Sequence, residues 1–174
     1  AGVFMDAHKQ YPYPCELDQL TELGIRACDK LDGVLDGLIA DTEACRATFN
    51  PYAHVNTTFH CADIGKDMQL SYGAANVANA VWAGPTTTKG DFMWYGFEIG
   101  SDLKQIAPDE TFGNETLGQE DFDFLAWDIR KTFAGNAEAN ITNLDEFQRV
   151  GGKMLTFHGL VGFLCHSRYQ SMKR

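Results

Sequence analysis

Positive charge is scarce in this sequence. Its 174 residues include 14 lysines and arginines against 24 aspartates and glutamates, which gives a formal net charge of −10 and a pI near 4.8. Nucleic acids and anionic membranes are bound by basic surfaces, so this balance argues against both as partners. It favours solubility and the binding of cations.

Long hydrophobic runs are also absent. No stretch of about 18 residues is continuously apolar, and we therefore expect no membrane-spanning segment. The sequence shows no internal repeat and no low-complexity tract. Because 44% of its residues are hydrophobic and 12% aromatic, it should fold, and its length suits one domain with a sizeable core.

A nucleophile motif is missing as well. The pattern G-x-S-x-G, which places a serine on a sharp strand-to-helix turn, does not occur. The serines without this context include Ser71, Ser101, Ser167 and Ser171. The histidines His8, His54 and His60 lack metal-ligand spacing with a cysteine or carboxylate. We accordingly assign no catalytic residue within this chain.

Apolar residues recur at helical spacing in three stretches. We predict helices over residues 16–28, 72–83 and 120–133. Residues 46–70 look irregular with short strand-like pieces. The aromatic stretch DFMWYGFEIG (91–100) is predicted to be extended, and KMLTFHG (153–159) is predicted to be a buried strand.

Several features indicate a secretory route. The first residue is not Met and no signal pattern follows, so either a signal has been removed or the chain starts inside something larger. Three N-x-S/T sequons predict glycosylation at Asn56, Asn114 and Asn140. Five cysteines point the same way, with one left unpaired. We expect an extracellular protein.

The segment between two cysteines is unusually acidic. Residues 28–45 read CDKLDGVLDGLIADTEAC, and they hold five carboxylates but only one basic residue, Lys30. Like charges this close repel one another, so the arrangement requires a fully solvated face or a cation among the carboxylates.

Calcium is the cation that this spacing fits. It takes six to eight hard oxygens from a flexible loop, some of them backbone carbonyls. Gly33 and Gly37 let the chain curl, and we expect the side chains of Val34 and Leu38 to point into the core while their carbonyls face the ion. The predicted ligands are Asp29, Asp32, Val34, Asp36 and Leu38. The alternative is a solvated acidic turn, which the two glycines and the flanking cysteines disfavour; the spacing is not that of an EF-hand.

A resemblance to the tannase and feruloyl esterase family, notably its fungal members, is carried by four stretches. The calcium loop of that family resembles CDKLDGVLDGLIAD…C, and its entry into the lid is similar to CELDQLTELGIRACDKLDG. Its W-x-G-P and F-x-W-Y-G segments resemble VANAVWAGP and GDFMWYGFEIGSDL. The strand that returns to the hydrolase sheet is similar to GGKMLTFHGL.

The resemblance implies a fold and a site. It implies an α+β, calcium-stabilised lid (cap) domain of an α/β-hydrolase over residues 1–150, followed at 151–174 by a remnant hydrolase strand and a divergent tail. It implies Ca²⁺ held by the side chains of Asp29, Asp32 and Asp36 and the carbonyls of Val34 and Leu38. It also implies a disulfide between Cys28 and Cys45.

The catalytic positions of such a hydrolase are not matched. The family's nucleophile precedes the lid, its acid follows H-G-L by two residues, and its histidine comes later. Here His158-Gly159-Leu160 leads to Gly162 at the acid position, and the histidine is expected beyond Arg174. The chain thus resembles a lid fragment that lacks the catalytic Ser, Asp and His.

Three assignments stay open. His158 is either a base or, as we prefer, a histidine that caps a buried strand. Cys61 is either free or paired with Cys15, and Cys165 is a candidate free thiol. The aromatic residues at 92–97 either contact a phenolic substrate or pack in the core, and core packing is favoured for most of them.

The resemblance indicates a carboxylic ester hydrolase of phenolic acid esters, with the missing hydrolase portion as a partner. One alternative is a non-catalytic secreted calcium-binding protein that binds phenolic ligands or another partner. A generic extracellular calcium-binding module is the other.

Overall fold

A computed structural model describes residues 1–106, 117–133 and 143–155. In these ranges the helices are α1 (Gly2–His8), α2 (Pro14–Cys28), α3 (Thr42–Thr48), α4 (Tyr72–Ala83), α5 (Gln119–Phe133) and α6 (Asp145–Arg149). The strands are β1 (Thr58–Cys61) and β2 (Lys66–Gln69), and 3₁₀ turns cover Asp29–Asp32, Pro51–His54 and Leu103–Ile106. Helices with one small sheet agree with the α+β class. Within the described ranges, none of the helices combines the length and the apolar character that a membrane crossing requires.

The three predicted helices are confirmed as α2, α4 and α5. Helix α2 begins with Pro14, whose fixed φ suits the first helical position. Ser71 starts α4, because its Oγ accepts a hydrogen bond from the Ala74 N–H at 3.1 Å. Helix α4 ends at Ala83 and is capped by Gly84, where φ is +92° and a side chain would be strained.

Helices α2 and α4 form the centre of the core. Their apolar residues are spaced three or four apart and therefore share one face of each helix. Trp82 lies at the C-terminal end of the buried face of α4 and is 4% exposed. The other buried residues of these two faces are Leu17, Leu20, Ala74, Val77 and Ala78.

Glu16 connects the two helices through buried hydrogen bonds. Its side chain is 2% exposed, and its Oε2 accepts from the Tyr13 N–H at 2.9 Å. Its Oε1 accepts from the Ser71 N–H at 2.8 Å, immediately before α4. One carboxylate thus satisfies N–H groups at the start of both helices, which offsets the cost of burying it.

The strand-like pieces predicted within 46–70 are confirmed as a hairpin. Strands β1 and β2 pair antiparallel, from Thr58 opposite Gln69 to Cys61 opposite Lys66. Gly65 turns the chain between them with φ of +62°. The remainder of this stretch is more regular than expected, because α3 extends to Thr48 and a 3₁₀ turn begins at Pro51.

The stretches 91–100 and 153–159 were both predicted to be extended. The stretch 91–100 forms no regular strand, and its one ladder contact is an isolated bridge between Phe92 and Thr86. Residues 153–155 of the predicted C-terminal strand are irregular, and residues 156–159 lie outside the described part of the chain. In the first case the Phe97 N–H bonds the Val81 carbonyl in α4 and the Met93 N–H bonds the Pro85 carbonyl just after it, so these contacts replace a regular sheet partner.

Those contacts are a close crossing of two glycines. A Cβ on Gly96 would lie 2.2 Å from the Val81 carbonyl oxygen, and a Cβ on Gly84 would lie 2.3 Å from the Trp94 carbonyl oxygen. Both distances are too short for any side chain. The crossing is closed by a hydrogen bond from the Phe97 N–H to the Val81 oxygen at 3.1 Å.

A buried ion pair secures the same crossing. The Arg46 side chain is 14% exposed and that of Glu98 is 3% exposed, and their Nη2 and Oε2 atoms are 2.9 Å apart. Arg46 Nη1 donates to the Trp82 oxygen at 2.8 Å, and its Nη2 donates to the Phe97 oxygen at 2.7 Å. The arginine therefore joins α3 to the end of α4 and to the 94–98 segment.

We predict that Glu98→Ala destabilises the fold strongly. It removes the carboxylate that pairs with the Arg46 guanidinium, which is 14% exposed, and losing one partner of a fully buried pair typically costs about 3–5 kcal/mol, so the loss here should approach that range. Urea-induced unfolding should show a lower midpoint. Glu22→Ala is the matched control, because it removes the exposed Arg26–Glu22 pair, whose side chains are 72% and 59% exposed, and should change little. Equal midpoints for both variants would contradict the account.

Candidate functional site

The acidic loop (residues 29–38) follows α2 directly. It starts as the 3₁₀ turn Asp29–Asp32 and reverses at Gly33, where φ is +91°, and again at Gly37, where φ is +80°. Both glycines adopt the left-handed conformation that other residues avoid. The curl predicted at these two positions is confirmed.

Asp29 holds the two ends of the acidic loop together. Its Oδ1 accepts hydrogen bonds from the N–H groups of Asp36 at 3.0 Å and of Gly37 at 2.9 Å. These donors come seven and eight residues later in the chain. The first carboxylate of the loop therefore fixes the position of the last one.

The other two aspartates bind backbone groups in the same way. Asp32 Oδ1 accepts from the Val34 N–H at 2.9 Å, and its Oδ2 accepts from the Ala40 N–H at 3.2 Å. Asp36 Oδ1 accepts from the Leu38 N–H at 3.0 Å. Backbone N–H groups of the loop and of Ala40 thus fix the orientation of each of the three predicted carboxylate ligands.

The expectation that the side chains of Val34 and Leu38 are buried is wrong. Their side chains are 55% and 59% exposed, and Leu35 between them is 79% exposed. The core position belongs to Ile39, which is 2% exposed and lies close to Gly100. The two left-handed glycines account for the difference, because they turn the loop outward before the chain returns to the core at Ile39.

The donor chemistry of the acidic loop fits Ca²⁺. Carboxylate and carbonyl oxygens are hard ligands, and the loop offers no histidine or thiolate that would favour a softer metal. Among the described residues, the only trio of potential ligand groups within 4.8 Å of one another is Cys15, Cys61 and Asp63, and its two sulfurs are bonded to each other. The loop aspartates do not meet that criterion, so binding an ion requires their free oxygens to move closer together.

Two disulfides are present among the described residues. Cys28 is bonded to Cys45 with a Cα–Cα distance of 5.2 Å, which is the pairing that the resemblance implies. This bond joins the end of α2 to α3 and closes the acidic loop. Cys61 is bonded to Cys15 with a Cα–Cα distance of 5.6 Å, so the hairpin is linked to the start of α2. Cys165 lies outside the described residues.

The remaining predicted positions are only partly described. Asn56 is exposed between a 3₁₀ turn and β1, with φ of +69°, so its side chain is accessible for modification. Asn114 and Asn140 lie outside the described ranges, as do His158 and Gly162.

The aromatic cavity is a second candidate site. Its volume is about 500 Å³, and its walls come from α1, the C-terminal half of α4, the 94–97 segment and the start of α5. Trp94 is 40% exposed, and its ring lies 5.8 Å from that of Phe122. The prediction that these aromatics mostly pack in the core is wrong. Phe92 is 59% exposed, Trp94 faces the cavity, Tyr95 is half-buried, and only Phe97 packs against the core.

Sequence reasoning missed two walls of this cavity. Phe4 belongs to α1, a helix that was not predicted. Phe122 belongs to α5, whose helical structure was predicted but whose position beside the cavity was not. Both are apolar residues on amphipathic segments, and such a pattern indicates an apolar face without showing what covers it.

Comparisons with known proteins agree on one family. The family model described as "Tannase and feruloyl esterase" matches residues 1–121. A probable feruloyl esterase of Arthroderma benhamiae is 27% identical over 190 residues, covering 94% of this chain and 35% of that protein. A tannase of Aspergillus oryzae is 23% identical over 213 residues, covering 86% of this chain and 36% of that protein. This chain thus spans about a third of the length of these relatives.

Solved structures share the fold. A tannin acyl hydrolase from Aspergillus niger superposes with a TM-score of 0.82 at 20% identity, covering 99% of this chain and 37% of that one. Feruloyl esterase B from Aspergillus oryzae gives a TM-score of 0.70 at 20% identity, covering 94% of this chain and 35% of that one.

We predict that peptide mapping without reduction finds Cys28 joined to Cys45 and Cys15 joined to Cys61. Replacing Cys28 and Cys45 together by Ser should lower stability by about 3 kcal/mol, the chain-entropy estimate for a loop of this length. The measurement is urea-induced unfolding of both forms. Cys28 found free, or bonded to a third cysteine, would refute the pairing.

Proposed function

This chain belongs to the tannase and feruloyl esterase family, and from this membership we propose that it serves in the hydrolysis of carboxylic esters of phenolic acids. The match to the family model over residues 1–121 is the observation that carries the proposal. The names of the relatives indicate esters of ferulic acid or tannins as the class of substrate. The chain acts as the lid-type portion, and a hydrolase portion is its partner.

The chemistry itself is assigned to that partner. Ester hydrolysis of this type needs a nucleophile, a base and an orienting acid that act as a unit. The sequence has no nucleophile elbow, and glycine stands at position 162, where the resemblance expects the acid. The lid-type portion contributes the shape of the site and its stability rather than a reacting group.

A structural calcium ion is part of the proposal. Its ligands are the carboxylates of Asp29, Asp32 and Asp36 and the carbonyls of Val34 and Leu38. The proposal is supported by the all-oxygen donor set, by the two left-handed glycines and by the disulfide that closes the loop. The ion supplies positive charge among carboxylates that repel one another.

We propose that the protein is secreted and glycosylated. The two disulfides support an oxidising compartment, and the sequon at Asn56 lies on an exposed turn. The sequons at Asn114 and Asn140 belong to the same proposal on sequence alone.

A second candidate function is a non-catalytic secreted protein that binds calcium and phenolic ligands. It is favoured by the missing nucleophile elbow together with a cavity of about 500 Å³ within this chain. Sequencing the transcript on both sides distinguishes the two functions. An in-frame Cys-Ser-x-Gly-Gly upstream and a histidine downstream support the hydrolase, whereas stop codons that bound the chain directly support the binding protein.

We predict that a calcium chelator lowers the melting temperature of the protein. An ion that binds only the native state stabilises it by mass action, by about 2.7 kcal/mol at a hundredfold excess over Kd. Asp32→Ala should abolish the chelator's effect. Asp102→Ala, an exposed aspartate outside the loop, is the control and should retain it. A melting temperature of the unmodified protein that does not respond to excess chelator would overturn the calcium proposal.

We also predict that the purified 174-residue chain gives only background hydrolysis of a chromogenic phenolic ester. Losing one member of a catalytic triad already removes most of the rate, and here none is assigned. The matched control is His158→Ala, which should leave the same background. Turnover that persists through purification and disappears in this variant would show that the chain carries its own chemistry.

A further inference from the structure

Helix α5 exposes two large aromatic side chains next to each other. Phe124 is 66% exposed and Trp127 is 55% exposed, and their ring centroids are 6.2 Å apart. The two rings therefore form one patch on the surface of the helix. Single exposed apolar residues are common, but neighbouring large ones indicate a surface that another molecule covers.

The two rings belong to a regular row of four exposed residues. These are Glu120, Phe124, Trp127 and Lys131, spaced four, three and four residues apart. In an α-helix this spacing keeps all four within about 60° of one another around the axis. We call this row the α5 stripe. It is the spacing with which one helix packs along another.

The α5 stripe is not the side by which the helix contacts the rest of the chain. The half-buried residues of α5 are centred about 120° away around the helix axis, and they are Gln119, Phe122, Asp123 and Ala126. The Asp123 carboxylate accepts a hydrogen bond from the Thr88 N–H at 2.8 Å, and Gln119 Nε2 donates to the Thr86 oxygen at 3.1 Å. These bonds fix α5 on the fold and leave the stripe accessible.

The charges of the α5 stripe are separated along its length. Glu120 lies in the first turn of the helix and Lys131 in the last. The Lys131 ammonium lies 4.8 Å from the centroid of the Trp127 ring, so it remains beside the aromatic patch. The stripe therefore runs from an acidic end, across two rings, to a basic end.

This order makes the α5 stripe complementary to itself. Glu120 and Lys131 are equally far in sequence from the midpoint between Leu125 and Ala126, and so are Phe124 and Trp127. An antiparallel second copy would therefore place Glu120 opposite Lys131 at both ends and Phe124 opposite Trp127 twice in the middle. A two-fold interface requires this reciprocity, in which each residue meets the residue that meets it.

The charges also select the direction of pairing. A parallel second copy would bring Glu120 against Glu120 and Lys131 against Lys131, and both contacts repel. The antiparallel arrangement replaces them with two attractive pairs. Its central Phe124–Trp127 contacts gain from ring geometry in addition to the area that they bury.

We propose that the α5 stripe binds the α5 stripe of a second copy of this chain, antiparallel, and that the protein forms a two-fold dimer. The inference concerns self-association, so it goes beyond the proposed part in ester hydrolysis and does not depend on it. One helix face gives an interface at the small end of specific ones, below about 1,200 Å², so we expect a weak dimer with a Kd on the order of 100 μM.

The test is sedimentation velocity of the full 174-residue chain at protein concentrations from about tenfold below to about tenfold above that Kd. We expect the average mass to rise from that of a monomer towards that of a dimer. Added salt should weaken the dimer, because its two ion pairs are exposed. A chain that stays monomeric throughout would overturn the proposal and leave the stripe to a different partner, such as the hydrolase portion.

Charge reversal locates the interface. Glu120→Lys and Lys131→Glu each create two repulsive contacts in the dimer, so each variant alone should associate at least about tenfold more weakly. An equal mixture of the two should dimerise again, because every lysine then faces a glutamate. Asp145→Lys is the control, since it makes the same charge change in the first turn of α6 and should dimerise as the unmodified chain does.

Circular dichroism establishes that the three variants fold. Recovery in the mixture is specific to the proposed pairing, because a merely structural effect of either substitution would persist when the variants are combined. Undiminished association of the single variants, or a mixture that associates no better than they do, would contradict the assignment.

Discussion

The buried ion pair between Arg46 and Glu98 is the interaction on which the rest of the described structure depends. Its guanidinium joins three parts of the chain that are far apart in sequence: α3, the end of α4 and the 94–98 segment. Such a pair adds little net stability compared with apolar packing, but losing one partner leaves a buried charge uncompensated. The pair favours the arrangement of these segments in which Gly84 and Gly96 cross, because Arg46 also bonds the Trp82 and Phe97 carbonyls on either side of the crossing.

The same ion pair connects both candidate sites. Helix α3 carries Arg46 next to Cys45, whose disulfide to Cys28 closes the acidic loop at the end of α2. On its other side Arg46 fixes the wall of the aromatic cavity. A calcium ion in the loop would thus act on one connected body with the cavity wall. Such a connection would suit the lid-type role proposed above.

Much of the helical structure could be predicted from the sequence, because α2, α4 and α5 repeat apolar residues at helical spacing. The acidic loop could also be predicted, because its aspartates and glycines lie close together in the sequence. The predictions that proved wrong concern features that depend on tertiary contacts. Val34 and Leu38 were expected inside, but Ile39 takes the core position. The 91–100 stretch was expected to be extended, but its backbone bonds to α4 instead of a strand. Arg46 and Glu98 are 52 residues apart, and no local pattern pairs them.

We propose that the acidic loop is a calcium site built into a lid-type fold. The most direct measurement is a crystal structure of the protein grown with calcium, with anomalous scattering used to locate the ion. The account predicts one peak surrounded by oxygens of Asp29, Asp32 and Asp36 and the carbonyls of Val34 and Leu38. A loop with well-ordered density and no peak, or a peak bound only elsewhere on the protein, would contradict it.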